Sequence, residues 1–373
     1  MRAIRGGMPV SDDIDRMIAT LGAALRQRPD YPYHLVGLAE MVAAKKHRRR
    51  ALSLAREAMA LGHDDPATMM RGRRLLASML PGYHVPMMND ARRNLAWDAA
   101  LRRAIRPGML VFEIGTGAGM LALMAARAGA AKVVTCETNP IAADLARELA
   151  ALNGYADRIE VITGPSQKVT IGKDLERPAD LLFCDIFADN LLGFDPLSAI
   201  GDARARLLAP RAPAIPRAAS LCVGLAAWQD HGRSGKIDSA CGFDLSPLAD
   251  FVDATLLRPI GVPGLDLLSE GETLFHFDFS DATFPAAERR TVACRPLKAG
   301  TVDTIARWIR LELDAETVLE ARPEAGAFFF SSPTLTPLKA PFTVSMGDEI
   351  RIGGSHDRHK ILTWVEGEKS GLP

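Results

Sequence analysis

Val111-Phe112-Glu113-Ile114-Gly115-Thr116-Gly117-Ala118-Gly119 is the stretch that decides the fold of this chain. A short apolar run of strand length turns through Gly-x-Gly-x-Gly into an apolar segment of helical length, Met120 to Ala128. Glycines let such a turn bend sharply and approach a ligand closely, and the helix start offers unpaired N–H groups to something polar. The dinucleotide pattern Gly-x-Gly-x-x-Gly competes with this reading. The third glycine argues against it: Gly119 follows Gly117 after a single residue, leaving a tight loop suited to the amino-acid end of S-adenosylmethionine rather than to a pyrophosphate. Glu113, just ahead of Gly115, is placed to accept the ammonium group of that cofactor, directly or through water. Glu137 ends a second strand about twenty residues beyond the loop, where an acid accepts both ribose hydroxyls, with Thr138 beside it. The competing reading of Glu137 is a cap on the helix that follows.

Working outward, strand and helix alternate. Met109 to Ile114, Lys132 to Glu137, Ile159 to Thr163 and Ala179 to Asp185 read as strands, and Met120 to Ala128 and Pro140 to Asn153 as helices. This is the pattern of a mainly parallel, Rossmann-like α/β sheet. Upstream, apolar residues recur at helical spacing, as in Ile14, Met17, Ile18 and Leu21. Breaks at Arg28-Pro29-Asp30 and Gly62-His63-Asp64-Asp65-Pro66 cut this region into hairpins resembling tetratricopeptide repeats, too few to stack alone and expected to pack on the next domain. Beyond about residue 210 the chain turns Pro-rich and then strand-like at Leu274 to Phe279, Thr304 to Leu313, Phe328 to Phe330 and Glu349 to Ile352, which predicts a β-barrel or sandwich. The resulting division is a helical region over 1–82, a Rossmann-like domain over 83–209 and a β-barrel domain over 210–373. The interval Gln229 to Leu268, with a short helix at Pro247 to Leu256, reads as an insertion.

Composition narrows the function classes. With 373 residues, 48% hydrophobic and 24% charged, the chain is of globular type. Lys plus Arg equals Asp plus Glu at 45 each, so no global field favours nucleic acid or an anionic membrane. The basic run Lys45, Lys46, His47, Arg48, Arg49 and Arg50 reads as a solvated helix end. Five scattered cysteines without a C-x-x-C pair argue against disulfides or zinc, and no metal site is expected. The absence of signal-like or membrane-spanning apolar stretches points to the cytoplasm.

Tyr83-His84-Val85-Pro86-Met87-Met88-Asn89-Asp90-Ala91-Arg92-Arg93-Asn94, standing just before the glycine turn, resembles the protein arginine methyltransferases, especially divergent members with tetratricopeptide repeats. The resemblance runs from Tyr83 to Gly367. It implies that Arg93 binds the cofactor carboxylate, for which a bidentate guanidinium is suited, that Met87 lies near the reacting methyl, and that His84 matches a family histidine. Asn153-Gly154 through Ser166 resembles the family's third-strand region and puts Pro165 and Ser166 beside the adenine. With Gly115, Thr116, Gly117 and Gly119 forming the loop, the implied cofactor is S-adenosylmethionine, leaving as S-adenosylhomocysteine. The family dimerises through an arm in its barrel, which implies a homodimer through 229–268, with Gly242 to Pro247 as the best-matching portion.

The acceptor half departs from the family. Two glutamates of one loop normally clamp the substrate guanidinium, orienting its planar fork. Here Asp185 takes the first position, and Phe194 takes the second with Asp195 following it. Asp185 is expected to orient the acceptor, and Asp195 or Asp189 to complete a negative pocket. The family's Thr-His-Trp is replaced at Ala327 to Ser332, keeping only aromatic bulk at Phe330, and the paired-tyrosine helix before Tyr83 is absent. The implied function is methyl transfer to a side-chain nitrogen of a peptide or protein, with arginine the family's acceptor and the helical region a means of binding it. Two alternatives stand beside it: a methyltransferase for another peptide side chain or a small metabolite, and a cofactor-binding pseudoenzyme acting as a scaffold.

Overall fold

The computed structural model describes residues 10–228, 239–247, 256–257, 264–280, 283–323 and 331–367. Four helices come first: α1 (Val10–Leu25), α2 (Tyr31–Ala44), α3 (Arg48–Leu61) and α4 (Pro66–Ala77). Proline in the first turn suits α2 and α4, and Asp65 caps α4 by accepting from the backbone N–H of Ala67 and Thr68. The basic run is a helix end: α2 stops at Ala44, Lys46 turns left-handed at φ 67°, and α3 begins at Arg48. Two of its cations are ion-paired, Arg49 with Asp144 and Arg50 with Asp15. Leu35, Val36, Leu38, Ala39 and Val42 of α2 pack with the alanines Ala51, Ala55 and Ala58 of α3, and the same core takes in Ile141 from the following α/β unit. The helical region therefore buries its apolar face partly against its neighbour, as its small size requires.

The connecting helices α5 (His84–Asn89) and α6 (Ala91–Ala104) meet at Asp90, whose carboxylate caps α6 through the Arg93 N–H. Then follow β1 (Leu110–Ile114), α7 (Met120–Arg127), β2 (Lys132–Glu137), α8 (Pro140–Leu152), β3 (Ile159–Thr163), β4 (Leu181–Cys184), α9 (Pro196–Arg206) and β5 (Ala214–Ile215). The sheet is all parallel, in the order β3-β2-β1-β4-β5. Every residue of β1 and β4 is buried, which accounts for their nearly unbroken apolar sequences. The order reverses between β1 and β4, and a crevice at the carboxyl ends of parallel strands is expected at such a point. The sequence boundary at 209 needs one correction: β5 pairs with β4 and belongs to the parallel sheet.

The rest is antiparallel: β6 (Ala218–Trp228), β7 (Ser239–Ala240), β8 (Phe243–Asp244), β9 (Leu256–Leu257), β10 (Leu265–Leu267), β11 (Glu272–Asp278), β12 (Glu288–Cys294), β13 (Gly300–Glu312), β14 (Val318–Glu320), β15 (Thr334–Val344), β16 (Ile350–His356) and β17 (Ile361–Val365). The main sheet runs β10-β6-β13-β15-β9, with β11 also on β6 and β14 on β13; β12-β16-β17 form a second sheet. The two are joined by Arg307, buried in β13, which donates to the Ile361 carbonyl at 2.8 Å. The insertion is shorter than expected at its end, because β10 pairs with β6 and Leu265 to Leu267 are sheet residues. The helix expected at Pro247 to Leu256 lies mostly outside the described residues, and its last residue begins β9. Phe328 to Phe330 also lie outside the described residues. Among the described residues no helix is long and apolar enough to cross a membrane.

Candidate active site

β1 leaves the sheet through backbone that favours glycine: φ is 79° at Gly115, 54° at Gly117 and 90° at Gly119. A Cβ on Gly115 would lie 2.4 Å from Ile186 Cγ2. The turn is held by the Cys136 carbonyl, which accepts from the Gly115 and Thr116 N–H groups, and Gly119 then caps α7. It forms one wall of a crevice of about 1070 Å³. Gly115, Thr116 and Gly117 line this space together with His84, Met87, Arg93, Glu113, Glu137, Thr138, Pro165, Ser166, Asp185, Asp189 and Asp195, so one cavity collects nearly every residue singled out in the sequence. Gly119 is not among the lining residues; a Cβ there would lie 3.2 Å from Ala146 Cβ of α8.

Glu113 is 1% exposed, and neither of its carboxylate oxygens has a hydrogen-bond partner of normal geometry. The buried hydroxyls of Thr116 and Thr135 lie near enough to act on this carboxyl, though neither makes a hydrogen bond of normal geometry. Burial pushes the Glu113 carboxyl up to about 7, with Thr116 and Thr135 pulling the other way. Buried polar atoms without partners are uncommon in native proteins, so this cluster calls for a polar ligand group. Glu137 accepts from the Gly117 N–H at 2.9 Å through Oε2 and from the Asn139 N–H at 2.7 Å through Oε1. It thus braces both the glycine turn and the entry to α8; Oε1 also accepts from Thr138 Oγ1 at 3.4 Å, and Oε2 retains a lone pair for a ligand. The Glu137 carbonyl accepts from Gly164, which brings Pro165 and the buried Ser166 to the crevice. His84 is buried with Nδ1 unpartnered, and desolvation lowers its pKa, favouring the neutral ring, with the Glu137 charge acting the other way.

Arg93 is 1% exposed and joins the two halves of the site. Its Nε and Nη2 donate to Asp185 Oδ2 at 2.9 and 2.5 Å, and its Nη1 donates to Asn94 Oδ1 at 2.8 Å. The second hydrogens on both Nη atoms remain for a ligand. In the loop between β4 and α9, Asp189 Oδ1 accepts from Ser331 Oγ at 3.0 Å and from the Ser332 N–H at 2.8 Å. Phe194 is 59% exposed. Asp195 takes φ 54°, and its Oδ1 is buried in the crevice wall without a partner. Phe194 and Asp195 both line the crevice, and of the two only Asp195 brings a polar side chain to it.

Sequence reasoning missed four contributors. Asn94 stood inside the quoted motif and was passed over. Thr135 was accessible through strand register, since it pairs with Glu113 across β1 and β2. Ser331 and Ser332 stand in the segment aligned with the family's Thr-His-Trp, but their bond to Asp189 crosses the domain junction and has no local sequence signal. Among the described residues no group of three or more His, Cys, Asp or Glu is arranged to hold a metal ion.

Residues 98–200 match the family model for Ribosomal protein L11 methyltransferase (PrmA). The chain is 32% identical to the Arginine N(omega)-methyltransferase of Streptomyces achromogenes subsp. streptozoticus, over 90% of this chain and 89% of that protein. It is 29% identical to Protein arginine N-methyltransferase 7 of Drosophila grimshawi over 68% of this chain, and spans 38% of the length of that relative. Its fold matches that of the Trypanosoma brucei PRMT1 enzyme-prozyme heterotetrameric complex with AdoHcy at a TM-score of 0.64 and 20% identity, over 73% of this chain and 87% of that one.

Gly115→Ala is expected to lower the thermal midpoint, because the methyl meets Ile186 and the backbone stays left-handed; overpacking of this kind costs about 1–3 kcal/mol. Thermal denaturation followed by circular dichroism measures it, and an unchanged midpoint would show that the turn relaxes freely.

Proposed function

The chain belongs to the arginine methyltransferase family and is an S-adenosylmethionine-dependent methyltransferase, and we propose that it methylates a terminal guanidino nitrogen of arginine, in a peptide or protein. The observation that carries the acceptor is that Asp195, whose carboxylate has an oxygen without a partner, lines the same crevice as Asp185. Two carboxylates are thereby available to one guanidinium although Phe194 stands where a glutamate would be. Paired acids orient the planar fork and hold its charge, and most of the rate gain would come from positioning and electrostatics.

The donor half fits the cofactor by the same accounting. Glu113, with Thr116 and Thr135 beside it, would receive the ammonium group; the remaining Arg93 hydrogens would receive the carboxylate; Glu137 and Thr138 would take the ribose side, and Pro165 and Ser166 the adenine. When bound, the cofactor supplies a methyl group on a sulfonium centre. His84 would pack against the glycine turn, and Met87 would line the approach to the methyl. Free arginine is a second acceptor reading, favoured by the relative that this chain spans almost throughout, whose name specifies arginine alone.

The reading extends to a helical, tetratricopeptide-like region that helps to bind the substrate, and to a homodimer formed through the arm at 229–268. It also extends to a cytoplasmic location, in keeping with five free cysteines, four of them buried.

Incubation with methyl-labelled cofactor should label both arginine and arginine-containing peptides or one of the two; labelling of neither would refute the reading. Asp195→Ala should reduce kcat by about a hundredfold, the scale set by misplacing a reacting group by 1 Å, while cofactor affinity measured by calorimetry stays near that of the parent. A second expectation concerns pH. The cofactor ammonium selects ionised Glu113, so below about pH 7 binding must first remove a proton. Cofactor affinity should weaken about tenfold per pH unit on going from pH 7 toward pH 5.5 and be level just above pH 7. Glu113→Gln should abolish the slope; a parent enzyme already without one would exclude the role.

A further inference from the structure

The acceptor loop runs from Cys184, at the end of β4, to Pro196, at the start of α9. It is tightly bonded within itself. The Leu191 N–H donates to the Ala188 carbonyl at 2.7 Å, the Gly193 N–H donates to Asn190 Oδ1 at 2.8 Å, and Leu191 and Leu192 are buried. Two of its non-glycine residues are left-handed, Leu191 at φ 67° and Asp195 at φ 54°. Such backbone persists only where the surroundings over-determine it. Two attachments to the antiparallel unit provide that: Phe187 stacks on the buried Phe279 with ring centres 5.7 Å apart, and Asp189 accepts from Ser331 and Ser332, just ahead of β15.

Both donors converge on one oxygen, Asp189 Oδ1, and Ser331 is 6% exposed. A hydroxyl and a backbone N–H are neutral donors, so an amide oxygen would accept from them as a carboxylate does. A guanidinium would instead demand the charge. On the reading that this crevice methylates arginine, we propose that Asp189 is a positioning residue and not a ligand of the acceptor. It latches the acceptor loop to the antiparallel unit and so sets where the Asp195 carboxylate stands, and with it which acceptor fits. The acceptor site is then completed across the domain junction, by a serine pair in the antiparallel unit that also lines the crevice.

The full chain and the variants Asp189→Ala, Asp189→Asn, Ser331→Ala and Asp189→Ala/Ser331→Ala distinguish a latch from a ligand. Calorimetric cofactor binding serves as the control for folding. With arginine or an arginine peptide as acceptor, Asp189→Ala should lose about 10- to 100-fold in kcat/KM, the range of a displaced reacting group. Asp189→Asn should recover most of that loss. Ser331→Ala should lose less than Asp189→Ala, and adding it to Asp189→Ala should cost nothing more, since both act through one contact. Hydrogen exchange with S-adenosylhomocysteine present should rise across residues 187–195 in Asp189→Ala and stay at the parent level in Asp189→Asn. Equal losses in the alanine and asparagine variants with unaltered exchange would overturn the proposal and make Asp189 an acceptor ligand. Should the parent methylate no guanidino compound, the proposed function fails, and exchange still decides the latch: an unchanged loop in Asp189→Ala refutes it. If Asp189→Ala does not bind cofactor, Asp189→Asn and Ser331→Ala carry the test, and a severe loss in the first without loss in the second counts against the latch.

Discussion

An arginine almost wholly removed from water must be paired, because leaving a buried charge uncompensated costs about 3–5 kcal/mol. Arg93 meets this requirement with Asp185, and the pairing organises the site. It ties the segment α5–α6, which lies outside the parallel sheet, to the exit of β4, next to the central strand β1. The crevice between them is therefore walled on both sides. Asn94 extends the tie, accepting from Arg93 and donating to the Met88 carbonyl at 2.8 Å, which holds the helical turn bearing His84 and Met87 over the glycine loop.

The acids of the crevice have distinct obligations, and these differ more than their sequence positions suggest. Asp185 answers to Arg93, Asp189 to two serines of the antiparallel unit, and Glu137 to two backbone N–H groups. Glu113 and Asp195 keep buried oxygens that make no hydrogen bond of normal geometry among the described residues. In a low-dielectric setting such atoms are costly. Both line one cavity, Glu113 beside the turn and Asp195 in the acceptor loop, as a two-substrate site needs.

The domains contribute as walls as well as folds. α3 reaches α8 through Arg49, which bonds Asp144 and Thr163, and the Met79 carbonyl accepts from Asn139. The helical region is thereby attached at the β2–β3 end of the sheet. The antiparallel unit attaches at the other end, through Phe279 and Ser331. Exposed ion pairs such as Arg49 with Asp144 contribute little stability individually, about 1 kcal/mol or less, so the docking of the helices rests mainly on the shared apolar core that includes Ile141.

The alternation of apolar strands and helices from Met109 to Asp185 made the parallel sheet legible, because strands buried on both faces must be apolar throughout and strand length limits where they end. The glycine spacing, Glu113 and Glu137 were legible for the same reason: backbone geometry and local chain distance place them, and neither depends on distant contacts. The short β5 was missed because two residues carry no periodicity, and the end of the insertion was missed because only pairing with β6 makes β10 a strand. The acceptor loop was beyond sequence. That Asp195 brings its side chain to the crevice depends on a left-handed residue held by buried leucines, and what Asp189 binds depends on serines 142 and 143 residues further along. The sequence by itself thus determined the sheet, the cofactor turn and the residues able to serve it, since these follow from local periodicity and steric rules. Only the tertiary structure decided which acids are free to act, because a carboxylate's role is set by the partners that long-range folding brings to it.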